Sequence, residues 1–270
     1  MQIADIGNSS CMVYHYTTLE AAVGIIKKEG IVFRAGRYDA MNDPEDSVIA
    51  ARNIEKSFGH EVAYAIADPY TYNISPYLVS FCKENDLPLM WRLYNAKVTL
   101  HIDSDEVRKY CKEHSERMLM GDVEYLPEDE IGRRVFEIFG EANKYFGHKE
   151  LEFAAKARTS FIKVRDFECE KEWRVAWFDD YDTIDDESDS LNLASDAVAS
   201  EIFCQGPKYG ALKFYRELKF SRECLKGITI RAYNYEEYEK VRLQLRLWLA
   251  QCGYDLKNIP IGITKTHRVR

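Results

Sequence analysis

The order of elements legible in the chain predicts an α+β fold, with a mixed, mainly antiparallel β-sheet and flanking helices. Short strands are interleaved with helices of varied length and without the regular alternation of a doubly wound fold. Several segments alternate cleanly in polarity, which marks half-buried strands. The chain of 270 residues, 46% hydrophobic and 30% charged, is long enough to bury a large core. We expect a single domain over residues 1–270.

The first strand is Met12–Thr17, with Tyr14 and Tyr16 on one side and Val13, His15 and Thr17 on the other. A helix follows: Thr17 and Glu20 have capping-box spacing, Leu19, Ala22, Val23 and Ile26 form an apolar stripe, and Gly30 stands where a C-terminal cap belongs. Residues 31–33 read as a short strand and 34–46 as a polar loop that includes Asn42-Asp43-Pro44, a good turn sequence. A helix over about 48–58 and a Tyr/Pro-rich loop over 68–76 lead to the apolar strand Tyr77–Cys82. Asp86, Leu87 and Pro88 start a helix carrying Met90, Trp91 and Tyr94.

Residues 97–102 alternate Val98, Leu100 and Ile102 against Lys97, Thr99 and His101, so His101 is expected to face outward. Helices are predicted over 104–118, over 128–146 with Ile131, Val135, Phe136, Ile138, Phe139 and Ala142 on its apolar face, and over 148–158. Residues 172–178 form a strand with Trp173, Val175 and Trp177 on one side, and an early start would align Glu168, Glu170, Glu172 and Arg174 on the other. The stretch 179–189, with seven carboxylates, lacks calcium-loop spacing and reads as a solvated loop. A strand over 228–231, a helix over Tyr235–Gln251 capped by Gly253, and a strand over 259–264 close the chain.

Charge and cysteine usage narrow the function classes. Thirty-seven basic against 45 acidic residues give −8, which disfavours a broad nucleic-acid surface. The seven cysteines, at 11, 82, 111, 169, 204, 224 and 252, form neither a disulfide framework nor a zinc-ligand cluster, and contexts such as Ile202-Phe203-Cys204 predict burial. No metal is expected. No apolar run reaches the ~18 residues needed to span a bilayer, and the N-terminus lacks a secretory pattern, so a cytoplasmic setting without membrane is expected. Dinucleotide-fold, P-loop, nucleophile-elbow, zincin and kinase motifs are all absent. What remains is a polar set on strands, His15, Ser80 and Glu172, able to converge on a cleft.

Taken in order, Tyr14-His15-Tyr16-Thr17, Met41-Asn42-Asp43-Pro44-Glu45, Ser80-Phe81-Cys82, Met90-Trp91 and Glu170-Lys171-Glu172-Trp173-Arg174 resemble the bacterial family catalogued as domain of unknown function 2971, over about residues 12–264. A strand-borne histidine followed by a helix, with a later Glu-x-Glu strand, is also similar to the pattern of NAD-using ADP-ribosyltransferases. That resemblance implies a split sheet, NAD as substrate, and cleavage of the nicotinamide–ribose bond in a toxin or phage-defence setting. It would make His15 a ribose anchor and Glu172 the catalytic carboxylate facing the cationic sugar, a group that stabilises charge as it develops.

Under the same resemblance Glu170 is an acceptor-activating partner or a neighbour, and Arg34 or Arg174 meets pyrophosphate. Tyr16, Tyr72 and Tyr77 are the candidates to stack on nicotinamide. Tyr14, Tyr16, Thr17, Asn42, Asp43, Ser80 and Trp91 complete the expected substrate-binding set. The middle strand departs from the pattern, reading Ser80-Phe81-Cys82 where Ser-Thr-Ser is common. A non-catalytic nucleotide- or protein-binding regulatory module of the same fold is the alternative. Phosphodiester chemistry at Glu168, Glu170 and Glu172 is a third reading.

Overall fold

A computed structural model describes residues 5–6, 11–37, 52, 55–56, 76–114, 118–142, 158–177, 202–208 and 211–265. The turn at Asn42-Asp43, Tyr72, the acidic stretch 179–189 and most of the helices expected at 48–58 and 148–158 lie outside these residues.

Among the described residues the strands are β1 (Asp5–Ile6), β2 (Met12–Thr17), β3 (Ile26–Lys27), β4 (Gly30–Arg37), β5 (Tyr77–Cys82), β6 (Val98–Asp103), β7 (Met118–Asp122), β8 (Glu124–Leu126), β9 (Ile162–Val164), β10 (Glu172–Trp177), β11 (Ile202–Lys208), β12 (Ala211–Phe220), β13 (Leu225–Ile230) and β14 (Ile261–Ile263). The longer helices are α1 (Leu19–Ile25), α2 (Pro88–Leu93), α3 (Ser104–Glu113), α4 (Glu128–Ala142) and α5 (Tyr235–Gln251). Twelve strands share one sheet, whose main path runs β1-β7-β10-β5-β2-β6-β13-β14. Most pairings are antiparallel; β1–β7 and β13–β14 are parallel, as is the separate β8–β9 pair. The α+β class and mainly antiparallel sheet therefore hold. No helix among the described residues is long and apolar enough to cross a membrane.

The sheet branches at β5. One edge of β5 pairs with β10 along its whole length. The other is shared: Tyr77 and Leu78 pair with Arg37 and Gly36 of β4, while Cys82 pairs with Tyr14 of β2. Ser80 lies between, where the edge passes from one strand to the other, and His15 Nδ1 reaches its carbonyl at 3.3 Å. A carbonyl only accepts, so this bond places the imidazole proton on Nδ1.

Side chains alternate across this sheet. On the core face, Val13, Phe33, Val79, Phe81, Leu100, Met120, Trp173, Val175 and Leu218 pack with Ala22 and Ile25 of α1, Val107 and Cys111 of α3, and Tyr238, Val241, Leu245 and Leu249 of α5. On the opposite face, Tyr16 and Cys82 pack beneath Met90 and Trp91 of α2.

Several local expectations change. The cap of α1 is Thr18, which accepts from Ala21 N at 3.2 Å, rather than Thr17. The helix stops at Ile25, and Gly30, at φ +139°, opens β4 instead of capping α1. A Cβ there would stand 2.2 Å from the Phe220 carbonyl oxygen, which explains the glycine. Residues 34–37 belong to β4, so Arg34 sits on a strand rather than in a loop. The helix expected over 104–118 ends at Glu113, and Met118 begins β7.

Glu168 and Glu170 belong to a 3-10 segment, Arg165–Glu170, not to an extended β10. Strands β1, β3, β7, β8, β9, β11 and β12 have no counterpart in the sequence reading. Phe136 of α4 is 49% exposed rather than on the buried stripe, and Cys204, expected to be buried, is exposed on β11.

Burial lowers the pKa of His15 to about 4, despite the bond to Ser80, and burial alone does the same to His101. The unfolded chain protonates both near their ordinary value of about 6.5, so the folded state loses stability as pH falls from there toward about 4. Carboxylates remain ionised through most of that window. Because both rings keep some solvent contact, we expect urea unfolding free energy at pH 5 to lie roughly 1 to 2 kcal/mol per histidine below its value at pH 7. His15→Asn should remove part of that slope, and a flat profile would contradict the burial of these rings.

Candidate functional site

The sheet register gathers most of the motif residues on one face. Glu172 pairs with Cys82, Cys82 with Tyr14, and Tyr14 with His101, so the four share a row across β10, β5, β2 and β6. Arg174 pairs with Ser80 one step along the same face. Tyr14, Tyr16, Ser80, Glu172 and Arg174 are therefore brought together, with Trp91 of α2 packed over Tyr16 at a centroid distance of 5.0 Å.

His15 and Thr17 fall on the other side of the sheet. The His15 ring meets Phe33 at 4.9 Å and Phe81 at 5.8 Å, edge to face, inside the core layer that also holds Trp173. The imidazole and Glu172 do not line a common hollow. Arg34 lies beyond the branch, over the ring of Tyr215 with Cζ 4.8 Å from the centroid.

Glu172 lies at the centre of a buried charge network. Its Oε2 accepts from Arg174 Nη2 at 2.7 Å and faces Lys163 Nζ at 3.5 Å. Lys163 in turn reaches Glu170 Oε2 at 2.6 Å and lies over Phe167, 4.9 Å from its centroid. Arg174 Nη1 donates to the Ser160 carbonyl at 2.5 Å, and the Glu172 backbone N–H donates to Tyr125 Oη at 2.8 Å. Glu172 is 3% exposed and Arg174 wholly buried.

Burial alone would raise the Glu172 carboxyl, but Arg174 and then Lys163 outweigh it and hold it below the ordinary carboxylate range. The Ser80 hydroxyl lies beside the carboxylate and favours its charge, although its Oγ makes no hydrogen bond of standard geometry. Among the described residues, two acids and two bases thus meet in this network. The sequence does not single out Lys163; its only signal is a lysine between Phe161, Ile162 and Val164. Glu168, expected beside Glu170 and Glu172, is exposed on the 3-10 segment.

The remaining motif side chains are held structurally. Tyr16 Oη donates to the Glu84 carbonyl at 2.9 Å and accepts from Leu87 N–H at 2.7 Å. Trp91 Nε1 donates to Asp86 Oδ1 at 2.9 Å, and Asp86, at φ +70°, also accepts from the Lys265 N–H at 2.7 Å. These bonds fix the β5–α2 loop against the sheet.

Beyond this corner the face is more open. Tyr14 and His101 are half-buried and meet edge to face at 5.1 Å. His101, expected to point outward, instead places Nε2 2.8 Å from Thr229 Oγ1. Past the ends of β5 and β10, Lys83 pairs with Asp122 at 3.1 Å and Lys171 pairs with Glu84; Asp122 is in register with Trp173, on the side of the sheet away from Glu172.

Comparison with protein-family models, curated proteins and solved structures returned no match to this chain.

Removing one partner of a buried ion pair leaves the other charge uncompensated. Glu172→Gln is expected to lower the unfolding free energy by about 3 to 5 kcal/mol, read from urea denaturation. A loss below about 1 kcal/mol, the range of surface pairs, would contradict the buried network.

Proposed function

We propose that the chain is a non-catalytic nucleotide-binding module that uses the motif-bearing face of its sheet. The observation that carries this reading is the commitment of the Glu172 carboxylate to Arg174 and Lys163, with His15 behind the sheet. An ADP-ribosyl-transfer carboxylate must instead be aimed at a developing sugar cation. A carboxylate already neutralised by two cations has little differential charge to offer a transition state.

The open part of the row supports a bound nucleotide. Its uncovered part is the half-buried Tyr14–His101 stretch on β2 and β6, beside the covered Cys82 and Glu172. Neutral hydrogen-bonding and aromatic groups line it.

The resemblances to the unknown-function family and to the ADP-ribosyltransferase fold belong to this reading. Five motifs in order support the first, and the branch of the sheet at β5 supports a split-sheet arrangement. A cytoplasmic setting fits the scattered free thiols.

Calorimetry with NAD and ADP on the full chain should give saturable binding to at least one of them, without nicotinamide release from NAD. Glu172-dependent nicotinamide release would establish the enzymatic alternative instead. Absence of binding by either compound would overturn the nucleotide reading.

A further inference from the structure

The turn that joins β3 to β4 and the C-terminal end of α5 enclose an open cleft of about 530 Å3, lined by Lys27, Lys28, Glu29, Trp248, Gln251 and Cys252. Small-molecule sites ordinarily occupy about 300–1,000 Å3. Because α5 packs on the core face of the sheet, this cleft stands apart from the motif-bearing face.

Its walls are fastened by hydrogen bonds. Lys27 pairs with Gly30 across the two-residue turn Lys28-Glu29, which makes a stiff hairpin. Arg222 then joins the two walls: Nε donates to the Lys28 carbonyl at 2.8 Å and Nη1 to the Gly253 carbonyl at 3.0 Å. Trp248 Nε1 donates to the Ile26 carbonyl at 3.1 Å, so the indole's one polar atom is turned to the wall and the ring surface left to the cleft is apolar. The Cys252 thiol donates to the same carbonyl at 3.7 Å.

Charge narrows the ligand. Lys27 and Lys28 stand against the single carboxylate of Glu29, and among the described residues neither lysine forms an ion pair. Burial pushes the Cys252 thiol up, while Lys28, Arg222 and Lys27 oppose that rise, so these cations lie within electrostatic reach of the cleft. A helix end would set partial negative charge against them. Here the last carbonyls of α5 are already taken: Trp248 by the Cys252 N–H at 2.9 Å, Leu249 by that of Tyr254 at 3.0 Å and Ala250 by that of Gly253 at 3.0 Å. The cleft is therefore locally positive in a chain of net charge −8.

We infer that this cleft binds a planar aromatic carboxylate, whose ring lies against Trp248 and the aliphatic stems of the lysines while its oxygens accept from Lys27 and Lys28. The Gln251 amide supplies a further donor. The lysine stems cover apolar ligand surface without withdrawing their charged ends from water until the carboxylate arrives.

The test is titration calorimetry of the full chain with naphthoate and with naphthalenemethanol, which keeps the rings and lacks the charge, with melting temperature checked for each variant. Wild type is expected to bind naphthoate at one site, about tenfold more tightly than the alcohol. Lys27→Gln/Lys28→Gln alters side chains that make no ion pair in the fold; it should melt as wild type does and bind the two compounds equally. Gln251→Trp places a larger side chain at an exposed position on the cleft and should bind neither.

Absence of saturable naphthoate binding by wild type overturns the inference, as does equal binding of the two compounds. A preference for naphthoate that survives loss of both lysines, or binding that survives Gln251→Trp, also overturns it, since the anion would then be held elsewhere.

Discussion

The described part of the molecule is organised around a pair of charges taken out of water, Glu172 and Arg174, two residues apart on one strand and on the same face of it. Desolvating them is costly, and the cost is offset only because each has further partners: Lys163 for the acid, and the Ser160 carbonyl for the guanidinium. Those partners come from the segment around β9, so the network fastens that segment to the main sheet. β8 and β9 pair with each other rather than with the main sheet. The ion pairs, the Tyr125 hydroxyl that accepts from the Glu172 N–H, and the Val123 N–H that donates to the Glu172 carbonyl join them to β10.

The same arrangement sets which side chains can meet. The side of a strand on which a residue falls is a matter of parity, and parity across strands is a matter of register. Tyr14, Cys82 and Glu172 are in register, so His15, one residue on from Tyr14, must share its side with Phe81 and Trp173. A slip of one residue in either pairing would have placed the imidazole beside the acid. His15 instead serves the branch of the sheet, satisfying the Ser80 carbonyl at the point where β5 changes partners. A buried carbonyl without such a donor would be expensive, which is reason enough for a histidine on this strand.

Much of this fold is legible in the residue order, and the exceptions have physical causes. β2, β5, β6 and α5 carry clear periodicities and lie where these predict. β12 carries the alternation Leu212, Phe214, Leu218, Phe220, but Arg216 interrupts it; in the structure Arg216 is buried with its guanidinium 5.1 Å from the Trp177 centroid and 6.0 Å from that of Tyr77. An arginine between aromatic rings occupies a core position that an apolar pattern cannot reveal. β7 follows a helix closely, and its Met118-Leu119-Met120 run extends that helix's apolar content without a visible break. Tyr14, Ser80 and Glu172 stand on strands that the residue order places. Lys163 is hidden as a charged residue in an apolar strand, and the face assignment of His15 requires a register no single strand contains.

The Glu172 carboxylate is bound to Arg174 inside the protein. A double-mutant cycle over Glu172→Gln and Arg174→Gln, with unfolding free energy read from urea denaturation, tests it most directly. The account predicts that the double variant is more stable than the sum of the single losses implies, by about 2 to 3 kcal/mol of coupling. Additive losses would mean that the two side chains stabilise the fold independently, and the acid would again be free to serve a ligand.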